Sequence, residues 1–271
     1  MRTFALALGA GGARGLAHIA IIEALDEMGV RPAAIAGSSI GAVIGAGYAA
    51  GLSGRAMRRH LITLAHDRGE AMRRVMAARA VAWSEIFSAG FGNPFVVDAG
   101  KFCDAFLGEL LPADFADLTI PLTVIATDLH ARESLIVSEG PLRTAVAASM
   151  AVPGLVKPLE LKGRVLVDGG VTDPLPFGCL RGNADVIVAI DVSGGADEHD
   201  GVPDPWESLF AAIGVMGHTI VAHKLKEGAP DLVLRPNIGI FRMLDFFQAS
   251  AILRAAEPIK AEVKEKLSAL L

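Results

Sequence analysis

Cysteine is scarce: only Cys103 and Cys179 occur in 271 residues. Two thiols cannot supply a disulfide framework and do not have the spacing of a zinc site, so a reducing compartment is expected, with Cys103 as a helix-core residue. No two of the seven histidines show metal-ligand spacing, and no metal is expected. The first residues, Met1 to Leu8, lack the charged segment, apolar run and small-residue cleavage site of a secretory signal, which favours a cytoplasmic setting. Long apolar runs are missing as well. Ile35 to Leu52 is broken by Gly and Ser, and nothing reaches the roughly 20 continuous apolar residues of a spanning helix, so a soluble or peripheral chain is expected. No internal repeat is evident.

What is present is a strongly apolar chain. Hydrophobic residues make up 52% against 20% charged, and the mean hydropathy is +0.46, which suits a packed core rather than disorder. The length fits one large α/β unit, so residues 1–271 read as a single domain. The net charge of −5 hides an asymmetry. Residues 55–79 carry seven arginines (55, 58, 59, 68, 73, 74 and 79) against Asp67 and Glu70, a local +5 on an otherwise acidic chain. That segment is either a solvated helical face with local ion pairs or a peripheral contact for anionic lipid headgroups on the inner face of a membrane. No nucleic-acid partner is expected, and the oligomeric state is left open.

Short β-type runs alternate with helical patterns, the sequence form of an α/β fold. Strands are predicted at Thr3–Leu8, Ala33–Ala36, Leu122–Thr127, Ser134–Val137, Arg164–Val167, Val186–Asp191 and Leu232–Leu234. Several are apolar on both faces, as buried strands of a parallel sheet are. Ala17, Ile21, Ala24, Leu25 and Met28 recur at helical spacing before Gly29, which should end that helix. Residues 53–92 read as a helical excursion and a candidate lid. Gly194 to Pro205 reads as an acidic exposed loop. Met243 to Leu271 is amphipathic, with Pro258 limiting or kinking it.

Three motifs carry chemistry. Gly37-Ser38-Ser39-Ile40-Gly41 is a G-x-S-x-G between a short apolar strand and a small-residue helix, the setting of a nucleophile elbow whose middle residue, Ser39, holds its hydroxyl out over a helix N-terminus. Gly9-Ala10-Gly11-Gly12-Ala13-Arg14-Gly15 ends the first strand, and the amides of Gly11, Gly12 and Ala13 are the candidate donors to an oxyanion. Read as a dinucleotide fingerprint the same loop fails, because Arg14 stands at the third glycine and no acidic residue ends the second strand. Val167-Asp168-Gly169-Gly170, again at a strand end, leaves the Asp168 carboxylate facing a cavity; alone it could equally be an Asx turn.

Taken in order, GAGGARGLAHI, GSSIGA, ASMAVPG (148–154) and DGG resemble the patatin-like phospholipase family across about two thirds of the chain. The resemblance implies a central, mostly parallel sheet flanked by helices, a three-layer sandwich related to the α/β-hydrolases. It also implies a Ser39–Asp168 dyad, an oxyanion hole at Gly11 to Ala13, and activity on acyl esters of phospholipids or related lipids. Ala10 replaces a glycine common in the family's first loop. Pro174 stands where an Asn is frequent, which removes any side-chain hydrogen bond from that position.

The implied mechanism is covalent and needs no cofactor: Asp168 takes the Ser39 proton, the hydroxyl attacks the carbonyl, and water later releases the acyl group. An unperturbed Asp, with a pKa near 3.9, is a weak base for a serine, so slow chemistry on esters and thioesters is expected unless burial raises that pKa. A Ser–His–Asp triad would have to draw on His218 or His223, but both fall in a helical pattern rather than a loop. His18 reads as a hydrogen-bonded packing residue. The alternative to an enzyme is a lipid-binding or regulatory protein that keeps the fold without turnover.

Overall fold

The computed structural model describes residues 2–66, 97–107, 110–194 and 202–271. In chain order the strands are β1 (Phe4–Leu8), β2 (Ala34–Ser38), β3 (Leu122–Asp128), β4 (Glu133–Val137), β5 (Leu159–Leu161), β6 (Arg164–Asp168), β7 (Val186–Ile190) and β8 (Leu232–Leu234). The helices are α1 (His18–Met28), α2 (Ile40–Ala49), α3 (Gly54–His66), α4 (Ala99–Leu107), α5 (Leu142–Ser149), α6 (Pro205–Gly228), α7 (Ala249–Ala255) and α8 (Ile259–Ser268). All seven expected strands appear within one or two residues. The eighth, β5, was missed: it is a three-residue strand turned onto β6 by Lys162 and Gly163, whose φ values of 51° and 75° suit a type I′ hairpin.

The strands form one mixed sheet in the order β5-β6-β3-β2-β1-β7-β8, with β4 also on β3. β3, β2, β1, β7 and β8 run parallel, whereas β4, β5 and β6 add an antiparallel end. Residues on β1 alternate between two cores, as the two-residue period of a strand requires. Phe4, Leu6 and Leu8 join a large cluster with α1, α2, α7 and α8. Ala5 and Ala7 face the other way, where Ala34, Ala36 and Ala189 leave room for Leu175, Phe177, Leu180 and Val221 of α6 to lie close. Helices therefore cover both faces.

α1 ends at Gly29, whose φ of 69° provides the left-handed cap expected there. Pro258 separates α7 from α8, so the C-terminal amphipathic stretch is two helices rather than one. Within the expected 53–92 excursion, α3 is seen; residues 67–92 lie outside the described residues, as do 195–201 of the acidic loop. Cys103 is buried in α4, as expected. Arg58 leaves the basic patch: its guanidinium donates to both Glu23 oxygens at 2.6 Å and to Glu257 at 2.9 Å, tying α3 to α1 and to the turn before α8. Arg55 and Arg59 are exposed, and Arg68, Arg73, Arg74 and Arg79 lie outside the described residues.

One helix departs from the expectation that no segment is long and apolar enough to span a bilayer. Among the described residues, Glu207–Gly228 of α6 passes that test by length and composition. The search for unbroken apolar runs passed over it because Gly214, Gly217 and His218 interrupt the run.

Candidate active site

The site is made where two strands meet head-on. Val124 and Ile125 of β3 pair with β2 on one side and β4 on the other, while Ala126, Thr127 and Asp128 pair with β6 and β4. β2 and β6 therefore share one edge of β3, end to end. β2 runs parallel and stops with Ser38 opposite Ile125, while β6 runs antiparallel and stops with Asp168 opposite Ala126. Neither strand can continue, so the chain leaves the sheet at Ser39 and at Gly169. The two side chains next to the collision meet: Ser39 Oγ donates to Asp168 Oδ2 at 2.6 Å.

The turns at this point require glycine. A Cβ on Gly41 would lie 2.1 Å from the Leu8 carbonyl oxygen, and one on Gly169 would lie 2.1 Å from that of Ile125. Ser39 itself sits at φ 55°, ψ −126° as the N-cap of α2, a conformation that costs a non-glycine residue of order 1–3 kcal/mol and persists only when its surroundings impose it. One such restraint is Ser149, at the end of α5. Its buried Oγ accepts the Ser39 N–H at 2.8 Å. Sequence reasoning quoted the segment that holds Ser149 but gave the side chain no role.

Asp168 is buried, and that desolvation lifts its carboxyl to a pKa of about 6, against the lowering pull of hydrogen bonds from the Ser39 hydroxyl and the Gly170 amide. The Gly170 N–H reaches Oδ1 at 2.7 Å, so Oδ2 is the oxygen that faces Ser39. Behind the carboxylate, Thr127 Oγ1 donates to the Asp168 carbonyl at 2.9 Å and meets Thr172 Oγ1 at 2.8 Å. A buried Asp of raised pKa beside a strained serine has the chemistry of a proton acceptor poised on a nucleophile.

The glycine turn after β1 is anchored on three sides. The Gly9 N–H donates to the Ile190 carbonyl at 3.1 Å and the Ala10 N–H to the Pro174 carbonyl at 2.8 Å. Buried His18 meets the Gly9 carbonyl through Nε2 at 2.9 Å, the hydrogen-bonded packing role expected of it, and burial lowers its pKa to about 4. Pro174 thus contributes its carbonyl where its side chain cannot contribute a hydrogen bond. The Ala13 N–H donates to the Met243 carbonyl at 2.7 Å, which corrects the expected donor set, because an amide already committed to a carbonyl is not free for an oxyanion. The N–H groups of Gly11 and Gly12 have no acceptor among the described residues. Both residues line the same pocket as Ser39 and Asp168.

The rest of that pocket is mostly apolar, with Met150, Leu155, Ile213, Leu244 and Phe246 among its walls. His218 and His223 are not among the lining residues, and among the described residues no histidine is hydrogen-bonded to the Ser39–Asp168 pair. Arg14 and Gly15 follow the turn; Gly15 packs on Ile40, where a Cβ would come within 2.1 Å of that side chain.

A model of the patatin-like phospholipase family matches residues 6–180, a span that runs from within β1 past Ser39 and Asp168. An uncharacterized NTE family protein of Mycobacterium bovis is 41% identical over 191 residues, covering 70% of this chain and 49% of that protein. Patatin-like phospholipase domain-containing protein 7 of Rattus norvegicus is 34% identical over 199 residues, covering 72% of this chain and 14% of that protein. The chain thus spans about half the length of its mycobacterial relative and a small part of the mammalian one. Among solved structures, VipD from Legionella pneumophila shares the fold, with a TM-score of 0.51 at 15% identity over 97% of this chain and 66% of that one. With the family match running from the first strand to beyond the aspartate, the chain belongs to the patatin-like phospholipase family.

Proposed function

We propose that this protein is a serine-nucleophile lipid acyl hydrolase acting on phospholipids or lysophospholipids. The observation that carries the reading is the 2.6 Å hydrogen bond from Ser39 Oγ to a buried Asp168 carboxylate inside an apolar pocket. In the first half-reaction Asp168 Oδ2 takes the hydroxyl proton as Ser39 Oγ bonds to the ester carbonyl carbon. The negative charge that develops on the carbonyl oxygen is met by the N–H groups of Gly11 and Gly12 and by the positive end of α2. The proton passes to the leaving alcohol, and the C–O bond to it breaks. Water repeats the sequence on the acyl-enzyme, giving free acid and restoring both side chains.

Burial supports the base role, because raising the carboxyl from 3.8 to about 6 brings its proton affinity closer to that of the serine, though still far below it. Esters and thioesters should therefore turn over, and amides should not. The pocket's Met, Leu, Ile and Phe side chains suit an acyl chain, and among its described lining residues Arg14, at the turn, is the one cation.

Ser39→Ala and Asp168→Asn should each lower kcat for a chromogenic acyl ester at least about a thousandfold, with unchanged circular dichroism. Near wild-type turnover in either folded variant would end this assignment. A screen over phospholipids, lysophospholipids, neutral glycerides and acyl-CoA, with the Ser39→Ala protein as blank, assigns the substrate class.

A further inference from the structure

Exposed large apolar side chains gather around the mouth of the pocket. Val171 and Leu244 line the pocket and are nevertheless 40% and 42% exposed. Phe247, half exposed, follows the pocket-lining Phe246, and Ile240 lies just before the same turn. On α6, Val215 and Met216 are 67% and 57% exposed and sit between Gly214 and Gly217, which line the pocket. Leu209, one to two turns earlier, extends this outward face.

We propose that the outward face of α6, with the 240–247 turn, is the surface by which this enzyme rests on a lipid bilayer or micelle, with the pocket opening onto the lipid phase. The inference rests on the lipid-hydrolase reading and adds the place of contact, which differs from the arginine-rich segment. By length and composition α6 is apolar enough to cross a membrane, but one of its faces is committed to the protein. Phe210 and Val221 are buried, and Lys224 Nζ donates to the Asp173 carboxylate and to the Leu175 carbonyl, the latter at 3.0 Å. A helix fixed in this way lies along an interface rather than across it.

A lipid surface is the occupant that the arrangement favours, because exposed Val171 and Leu244 carry the pocket's apolar lining out to the surface beside α6. An acyl chain could then slide from aggregate to catalytic serine without its methylenes crossing water, each of which would otherwise cost about 0.8 kcal/mol. At this edge the charge of Glu207, at the start of α6, is paired with that of Arg242, and the Asp245 carboxylate accepts the Arg242 amide at 2.7 Å.

The test uses co-sedimentation of the full chain with phosphatidylcholine vesicles, alone or mixed with phosphatidylglycerol, beside hydrolysis of a short-chain, water-soluble ester. Wild type and Ser39→Ala should both sediment with vesicles of either composition. Val215→Glu and Met216→Glu should each weaken partitioning at least about tenfold, while kcat/KM on the soluble ester stays within about twofold, since neither side chain lines the pocket. Unchanged partitioning of folded Val215→Glu and Met216→Glu overturns the proposal. So does wild type that stays in the supernatant, or analytical ultracentrifugation showing that these substitutions split a dimer, which would make a second copy the occupant. Absence of ester hydrolysis with vesicle binding retained would instead sink the hydrolase reading and leave the docking surface standing.

Discussion

Ser39 and Asp168 are each held at an energetic cost. The serine sits in a backbone conformation that an L residue rarely adopts, and the carboxylate is buried with two hydrogen-bond donors, the Ser39 hydroxyl and the Gly170 amide. For Asp168 the cost depends on pH, and its sign can be worked out. Native Asp168 binds its proton more tightly than the unfolded chain does, at about 6 against 3.8. Between those values the folded state holds more protons, so stability falls as pH rises through the window, by about 2–3 kcal/mol in total. Activity runs the other way, because the base works only when ionised. The pH profile of kcat/KM should rise through an apparent pKa near 6 and be about tenfold below its plateau one unit lower. Asp168→Asn should lose that activity and also the stability penalty, so that above pH 6 it melts at or above the wild-type temperature. A profile with no limb between about 5 and 7, or an Asp168→Asn protein much less stable than wild type at neutral pH, would contradict this. His18, lowered to about 4 by burial, contributes the opposite slope, because it disfavours the fold as pH drops below 6.5. The comparison of interest is therefore between wild type and variant.

The residues that carry chemistry could be read from motifs because their constraints are local: a strand end, glycines and one reactive side chain within a few positions. Ser149 could not. Its value lies in where α5 sets it, 110 residues from the amide that it accepts, and a buried serine near a helix end has no sequence signal for that role. The Ala13 donor failed for the same reason, since the carbonyl that consumes its N–H belongs to Met243, far along the chain.

At the scale of elements, the periodic patterns located every strand but β5 and most helices, though not α5 (Leu142–Ser149), whose eight residues were quoted only in part as a motif. β5 has three residues, too few to show alternation. The antiparallel end of the sheet was not foreseen because strand order and direction depend on pairings between distant segments, which hydrophobic pattern leaves open. That end is what creates the site, since β6 must run against β3 for its last residue to meet the last residue of β2. The ion-pair cluster that joins α1, α3 and α8 was equally hidden. Glu23, buried on α1, accepts from Arg58 at 2.6 Å and from Lys260 at 2.6 Å. Burial alone would push its carboxyl up, but those two hydrogen-bonded cations hold it below the ordinary Glu value. Glu23→Ala leaves a cavity beside Arg58 and Lys260, which keep Glu257 as a partner, and it should destabilise the protein by about 1–3 kcal/mol in urea unfolding at neutral pH. A loss under about 0.5 kcal/mol would mean that Arg58 and Lys260 find water at no cost. Ester hydrolysis by the folded fraction should be unaffected, because this cluster lies away from the pocket residues.

Across the whole molecule, one sheet does two jobs. Its parallel part, sealed by helices on both faces, supplies the burial that makes the fold stable, and the junction of β2 with β6 spends some of that stability on a strained, desolvated pair. Such a division predicts that reactivity is confined to one hydroxyl even though Ser38 is its immediate neighbour in sequence, because Ser38 is fully buried in β2 whereas Ser39 lines the pocket. Treatment with a fluorophosphonate, followed by intact-mass and peptide mass spectrometry, tests this most directly. The account predicts a single adduct on Ser39, formed faster as pH rises through about 6 and suppressed in Asp168→Asn. An adduct on another serine, or undiminished labelling of Ser39 when Asp168 is Asn, would contradict it.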